Sequence, residues 1–384
     1  MTLFKDAPWM NEELLVMADG VRKFFEAEFL PNLDAYIKEG CVSRAFWEKA
    51  GENGLLGASI PEEYGGLGGS FAHEAIIFGE LGLTGDMGFG LPIQNIAIHY
   101  ILSFATEEQK KRWLPRLASG KLIAGVCMTE PGTGSDLQAI RTKGLRDGDG
   151  YVINGSKTFI SNGQVGNFYV VVAKTDPSQG GRGLSLFGVE TDGREGFRRG
   201  RKLEKLGMKA QDTSELFFDD MRVGADDLIG NVEGQGFSQL MNELPWERLL
   251  LGIIAVGAST YALRETVNYT TDRKAFGKAV IDFQNSRFKL AEAKTKIEML
   301  KAFVEKSIGK LLKGELSPSE ASMAKWWGSQ IQNEVVDECL QLYGGYGYMM
   351  EYPIAKLYAD SRVQKIYGGT NEIMKELIAR NLHD

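Results

Sequence analysis

Cys127-Met-Thr-Glu-Pro-Gly-Thr-Gly-Ser-Asp136 packs three hydroxyl residues, Thr129, Thr133 and Ser135, around Gly132 and Gly134. Glycine tolerates φ > 0, a conformation that brings backbone N–H groups close to an anionic or polar ligand. A second segment, Ile366-Tyr-Gly-Gly-Thr-Asn-Glu-Ile-Met374, sets a glycine pair ahead of Thr370. Threonine there suits the N-cap of a final helix and aims the positive end of that helix at a phosphate. Taken singly, each segment reads better as a Gly-rich turn without a ligand. Between them stand Arg273-Lys-Ala-Phe-Gly277 and Gln341-Leu-Tyr-Gly-Gly345, and the joint occurrence of all four carries the information.

Working outward, the 384 residues exceed the length at which one hydrophobic core keeps growing, so two or three sub-domains are expected. The chain is 43% hydrophobic and 25% charged, the balance of a soluble globular protein, with no uninterrupted apolar run of bilayer-spanning length. With a net charge of −7 and no Lys/Arg block, nucleic acid is not an expected partner. Cys41, Cys127 and Cys339 are odd in number and widely spaced, which suits neither a disulfide framework nor a Cys-based metal site. His73, His99 and His383 are too few and too scattered for a histidine cluster, so no metal is expected. Residues 1–10 carry an early acidic residue and read neither as a secretory signal nor as a transit peptide, which makes the cytoplasm the expected compartment.

The hydrophobic period divides the chain into three. Residues 1–120 read as helices, with Leu14, Leu15, Ala18, Val21, Phe24 and Phe25 at helical spacing, Ser43 as an N-cap, and Gly65–Gly69 as a surface loop. Residues 121–230 read as a small antiparallel β domain, with Asn154-Gly155 as a hairpin signal and further strands at Phe168–Ala173, Leu184–Val189 and Ser214–Phe218. Residues 231–384 return to long helices, with apolar spacing through Leu249, Ile253 and Val256, then Phe288, Ala291, Ile297 and Leu300, and form an expected bundle. The fold class is therefore α+β. No Gly-x-Gly-x-x-Gly, βαβ alternation or Walker A loop occurs, so a nicotinamide Rossmann site is not expected.

The four segments resemble the acyl-CoA dehydrogenase family, and the likeness covers nearly the whole chain. Glu351-Tyr-Pro-Ile-Ala355 and the last helix are especially similar to the long-chain branch. The resemblance implies the acyl-CoA dehydrogenase fold, bound FAD and a homotetramer built as a dimer of dimers. It implies that Val126, Met128, Thr129 and Ser135 line the flavin, Ser135 also touching substrate. It implies further that Phe159 stacks on the isoalloxazine, with Ile160 beside it and the Ser161 hydroxyl near N5; Phe159 and Ser161 stand where the family often has Trp and Thr. Arg273 would clamp the pyrophosphate of a neighbouring subunit's FAD, helped by Phe276, Gln284, Gln341 and Gly345. Thr370 and Glu372 would approach the cofactor from the last helix.

The reaction so implied removes the α-hydrogen of an acyl thioester as a proton and the β-hydrogen as hydride, and it needs a base. Many members carry a Glu inside the Tyr-x-Gly-Thr turn; here that position is Gly368. Asn242-Glu-Leu-Pro-Trp-Glu-Arg-Leu-Leu-Leu251 resembles the long-chain and isovaleryl branches, which place the base on this helix, and Glu247 is the residue implied. Leu244, Trp246 and Leu249 to Leu251 are expected to lift its pKa from about 4.3 toward the working pH. Pro245 is expected to bend the helix, and Glu243, one turn away, is the rival base. Gly368 retains a backbone N–H for the thioester carbonyl and, lacking a side chain, is expected to leave room beside the reacting carbons. Arg248 and Arg380 are candidate CoA contacts. The implied function is α,β-dehydrogenation of medium- to long-chain acyl-CoA, branched chains included, to trans-2-enoyl-CoA in fatty acid β-oxidation, with an electron-transferring flavoprotein as acceptor. The alternatives are an acyl-CoA oxidase or flavin-dependent oxygenase on the same fold, which are usually longer chains, and a non-catalytic flavoprotein scaffold.

Overall fold

The computed structural model describes residues 2–382, so His383 lies outside the described residues. Six helices come first: α1 Glu12–Phe24, α2 Leu33–Glu39, α3 Arg44–Glu52, α4 Phe71–Leu83, α5 Leu91–Phe104 and α6 Glu107–Ala118. Asn11, Ser43, Ser70 and Thr106 cap four of them by accepting a backbone N–H from the first turn. The α1 stripe is buried through Leu14, Ala18, Val21 and Phe24, while Leu15 faces outward.

Strands follow: β1 Ala124–Cys127, β2 Lys143–Asp147, β3 Gly150–Ser161, β4 Phe168–Lys174, β5 Leu184–Glu190, β6 Phe197–Lys202 and β7 Thr213–Gly224. They form one seven-stranded sheet in the order β1-β4-β2-β3-β7-β6, with β5 on β4. The sheet is mixed rather than purely antiparallel, because β1 runs parallel to β4 and β2 touches β4 in parallel. Asn154-Gly155 does not turn the chain. It lies inside β3 at a register shift against β7, where Asn154 exchanges hydrogen bonds with Asp220. The hairpin is instead made by Gly148-Asp149, with Asp147 opposite Gly150 and Gly148 at φ 62°. Three Asx-Gly pairs, at 147–148, 149–150 and 154–155, compete here, and the residues beyond Asn154 keep pairing with β7.

The chain then enters α7 Gly236–Asp272, the short hairpin β8 Lys274–Ala275 and β9 Lys278–Ala279, and the helices α8 Gln284–Leu311, α9 Pro318–Tyr343, α10 Pro353–Ser361 and α11 Asn371–Ala379. Helix α7 continues through Pro245 without interruption. Among the described residues it is the one helix long and apolar enough to cross a membrane, yet 67% of that apolar window is buried, packed against α4 and α9 in the core. On α8 the buried stripe is Leu290, Ala293, Ile297 and Leu300, whereas Phe288 and Ala291, expected inside, are exposed. A helix apolar on more than one side gives no single stripe to the reading eye, and the second apolar side is left uncovered in one copy.

Candidate active site

Glu247 and its surroundings are built where α4, α5 and α7 meet. Trp246, Leu249 and Leu250 are buried beside it, and Glu247 itself is only 6% exposed. Burial pushes the carboxyl up to about 7; Glu243 adds to the rise, and Tyr100, Arg248 and His99 oppose it. The Tyr100 hydroxyl donates to Glu247 Oε1 at 2.7 Å. Glu243, also buried, turns toward His99, whose Nδ1 stands 3.8 Å from Glu243 Oε2. His99 Nε2 lies 3.1 Å from both oxygens of the fully buried Glu74, and the imidazole stacks on Trp246 at 3.9 Å. Desolvation works against the imidazolium, but Glu74, joined by Glu243 and Glu247, outweighs it and leaves the His99 pKa raised. Neither Tyr100 nor this Glu74–His99–Glu243 array was readable beforehand, since nothing in the spacing of positions 74, 99 and 243 announces that three helices converge.

The turn before α11 reaches the same face of α7. A Cβ on Gly368 would fall 2.5 Å from Cδ1 of Leu251, one helical turn beyond Glu247. The room expected beside Gly368 is thus filled by Leu251, a correction that follows from a side chain on the neighbouring helix closing over a missing one. Gly368 and Gly369 both take φ > 0, at 62° and 89°. Lys325, buried in α9, holds the turn by donating to Gly369 O at 2.6 Å and Asn371 Oδ1 at 3.1 Å; its own pKa is lowered to about 8 by burial and then by Arg248. Thr370 caps α11 by accepting from Ile373 N, and Glu372 is exposed in its first turn. Arg248 is 6% exposed, with its Nη1 3.4 Å from Ser322 Oγ and no hydrogen-bond partner for its Nε. Arg380 lies on the outside of α11, paired with Glu376 at 2.9 Å.

A second group of predicted residues gathers on the β domain. Residues 128–136 form a closed loop in which Glu130 and Thr133 exchange backbone hydrogen bonds and the Thr133 hydroxyl donates to Asp136 O. Gly132 and Gly134 do not adopt φ > 0, contrary to expectation; a Cβ at Gly132 would meet nothing within 4 Å. Val126, Met128 and Thr129 are half-buried and Ser135 is exposed. Beneath the loop the fully buried Lys157 donates to Glu130 Oε1 at 2.9 Å and to Met128 O at 3.1 Å, and Glu130 also accepts from Arg141 N and Thr142 N. This ion pair, 27 residues apart in sequence, was not foreseen. Lys157→Met strands a buried carboxylate, at about 3 kcal/mol, the lower end for a broken buried pair because two N–H donors remain. Amide exchange across residues 128–142 is expected to quicken roughly a hundredfold; unchanged protection would show that the pair is not what holds the loop.

Two residues further on, Phe159 is 67% exposed at φ 59°, beside a register shift in β3. It is therefore not a core aromatic. Ile160 is buried and offers only its backbone, while Ser161 is half-buried. A third group lies around the start of α8. Phe276-Gly277 is a two-residue turn between β8 and β9 with both residues at φ > 0, and Phe276 is 97% exposed. Arg273, Gln341 and Gly345 line one cavity of ≈ 600 Å³ together with Tyr269, Tyr343 and Tyr346. Gln284, at the first turn of α8, is exposed. Holding a bulky residue in the left-handed region costs about 1–3 kcal/mol, and such strain concentrates at sites that use it. Both phenylalanines pay this to present a bare ring. Open space before Gly132 and Gly345, two bare aromatic rings and a guanidinium at a cavity fit a flat, anionic dinucleotide cofactor.

Comparison with known proteins gives three matches to family models: acyl-CoA dehydrogenase N-terminal domain over residues 11–121, middle domain over 125–221 and C-terminal domain over 234–383. The chain is 49% identical over 373 residues to the mitochondrial long-chain specific acyl-CoA dehydrogenase of Sus scrofa, covering 96% of this chain and 86% of that one. The solved acyl-CoA dehydrogenase of Geobacillus kaustophilus superposes with a TM-score of 0.94 at 46% identity, covering 98% of this chain and 99% of the other. The prolyl acyl carrier protein oxidase AnaB, also solved, superposes at 0.91 with 31% identity, covering 97% of this chain and 99% of its own. Length therefore does not separate this chain from every oxidase.

Proposed function

The chain belongs to the acyl-CoA dehydrogenase family, an oxidoreductase by that membership, and from this premise we propose the following reaction. It is the FAD-dependent conversion of medium- to long-chain acyl-CoA thioesters, methyl-branched ones included, to trans-2-enoyl-CoA. The observation that carries the reading is Glu247, a buried carboxyl whose pKa burial raises to about 7, on the helix face that the Gly368 turn approaches. A base with that pKa is ionised enough at neutral pH to take a proton and basic enough to hold it. Glu243 is the weaker candidate because it faces His99.

FAD, when bound, supplies the acceptor for the β-hydrogen. The protein's share is to hold and orient. Phe159 offers its ring for stacking and Ser161 its hydroxyl, with Val126, Met128, Thr129, Ile160 and Ser135 around them. Gly368 donates its N–H to the thioester carbonyl, and the Lys325 clamp keeps that turn in place. Arg248, adjacent to Glu247, favours the ionised base. Arg273, Phe276, Gln284, Gln341 and Gly345 would serve the cofactor of a second copy, while Thr370 and Glu372 would approach the cofactor from the last helix; Arg380 would serve CoA. Exposed Phe276, Phe288 and Met299 suit burial in a homotetramer. An electron-transferring flavoprotein is the proposed acceptor, and three free cysteines fit the cytoplasm.

Anaerobic titration of the purified protein against acyl-CoA thioesters of increasing chain length tests this. Octanoyl- to palmitoyl-CoA are expected to bleach the flavin with higher kcat/KM than butyryl-CoA, and a sharp optimum at four carbons overturns the substrate class. The similarity to AnaB favours an oxidase as the second reading. Admitting air separates the two: slow reoxidation marks the dehydrogenase and rapid reoxidation the oxidase, whereas absent bleaching means a scaffold.

A further inference from the structure

Tyr100 is fully buried in α5, and its hydroxyl gives the Glu247 carboxyl its one hydrogen bond among the described residues. The bond goes to Oε1; Oε2 has no such partner and is not among the sealed, unpartnered polar atoms. The side chain preceding Tyr100 is His99, stacked on Trp246, the residue preceding Glu247. Helices α5 and α7 are thus joined by two adjacent contacts, one aromatic and one between phenol and carboxylate. We infer that Tyr100 is a positioning residue for the base: its phenol ties down Oε1 of Glu247 so that Oε2 alone is turned to the acyl α-carbon. This rests on Glu247 being the base.

A glutamate has three rotatable side-chain bonds, and an unrestrained carboxylate would spread over several rotamers, few of them within reach of one proton. The phenol removes that freedom at one oxygen. It also acts on protonation, because a hydroxyl donating to a carboxylate favours the ionised form. The charges around Glu247 are Glu243 and Arg248 on its own helix, His99 on α5 with Glu74 of α4 behind it, and Lys325 of α9 beyond Arg248. Glu243 disfavours ionisation while Arg248 and His99 favour it; Tyr100 is the group in direct contact.

The bland alternative is a buried tyrosine that needed an acceptor and found one. The two differ in what Tyr100→Phe does. A hydrogen bond to a charged group corresponds to a shift of about one to two pH units. Infrared titration of the purified flavoprotein, with the protonated carboxyl band of Glu247 identified by its loss in Glu247→Gln, is expected to show the midpoint of that band move up by about one unit or more in Tyr100→Phe. Flavin reduction at pH 7 is expected to fall about tenfold or more in this variant. In the Glu247→Gln background the same substitution is expected to change the residual rate little, since there is no base left to position. Incorporating 3-fluorotyrosine at position 100, a more acidic donor that keeps the fold, is expected to move the midpoint down.

An unmoved midpoint in both Tyr100 variants overturns the inference. So does an equal fractional loss of rate from Tyr100→Phe in the wild-type and Glu247→Gln backgrounds, which marks a purely structural role. If Glu247→Gln itself reduces flavin at the wild-type rate, the assignment of the base fails and this inference falls with it; if Glu247→Gln is inactive but Tyr100→Phe is normal, only the inference falls.

Discussion

Glu247→Gln is expected to slow flavin reduction by acyl-CoA at least ~10²–10⁴-fold, the range that a placed general base contributes, with FAD content unchanged. Gln keeps the volume and the contact to Tyr100 but cannot accept the α-proton. The wild-type rate should also fall as pH is lowered through about 7, where the carboxyl that burial has raised becomes protonated, and hold above it. The Gln variant should lose that dependence. Adding Gly368→Glu to supply a carboxylate from the turn is expected to fail on its own, because Leu251 Cδ1 stands 2.5 Å from the new Cβ and position 368 is at φ 62°. Shortening the obstruction with Leu251→Ala should permit partial rescue. Rapid-mixing measurements decide it: a Glu247→Gln protein that retains FAD and bleaches at the wild-type rate removes Glu247 from the mechanism and makes Glu243 the next candidate.

Arg273→Ala should empty the protein of FAD. Arg273 lines the ≈ 600 Å³ cavity with Gln341 and Gly345, and its guanidinium carbon lies over the Tyr346 ring, 5.4 Å from the centroid. Arg273 is exposed in a single copy, so its removal costs what one charge-assisted contact is worth, about 1.5–3 kcal/mol, or roughly ten- to somewhat over a hundredfold in affinity. Because the residue is proposed to serve a neighbouring copy's cofactor, the loss should appear together with a weaker assembly in size-exclusion chromatography with light scattering. A fully flavinated, monomeric wild-type protein would be incompatible with sharing.

The helix, sheet, helix order was readable from periodicity, since the change from a 3.6- to a 2-residue repeat near Lys121 and back near Gly234 reflects which faces meet the core. Caps such as Ser43 and Thr370 were readable too, because capping needs only the residue and the turn that follows it. The choice between Asn154-Gly155 and the Asp147-Gly-Asp-Gly150 run was not, as both carry turn residues and only pairing with β7 decides which bends. For the site, Glu247 and the Arg273, Gln341 and Gly345 set were named through resemblance to family motifs, which are short and contiguous and so can be matched without the fold. What the tertiary structure alone decided was every relation between distant segments. Tyr100 bonds a residue 147 positions away, Lys157 neutralises Glu130 across 27, and Leu251 fills the space that Gly368 vacates. A side chain's type is local information, but its pKa, its exposure and the direction it faces are set by what packs against it, and that is determined only when the chain has folded.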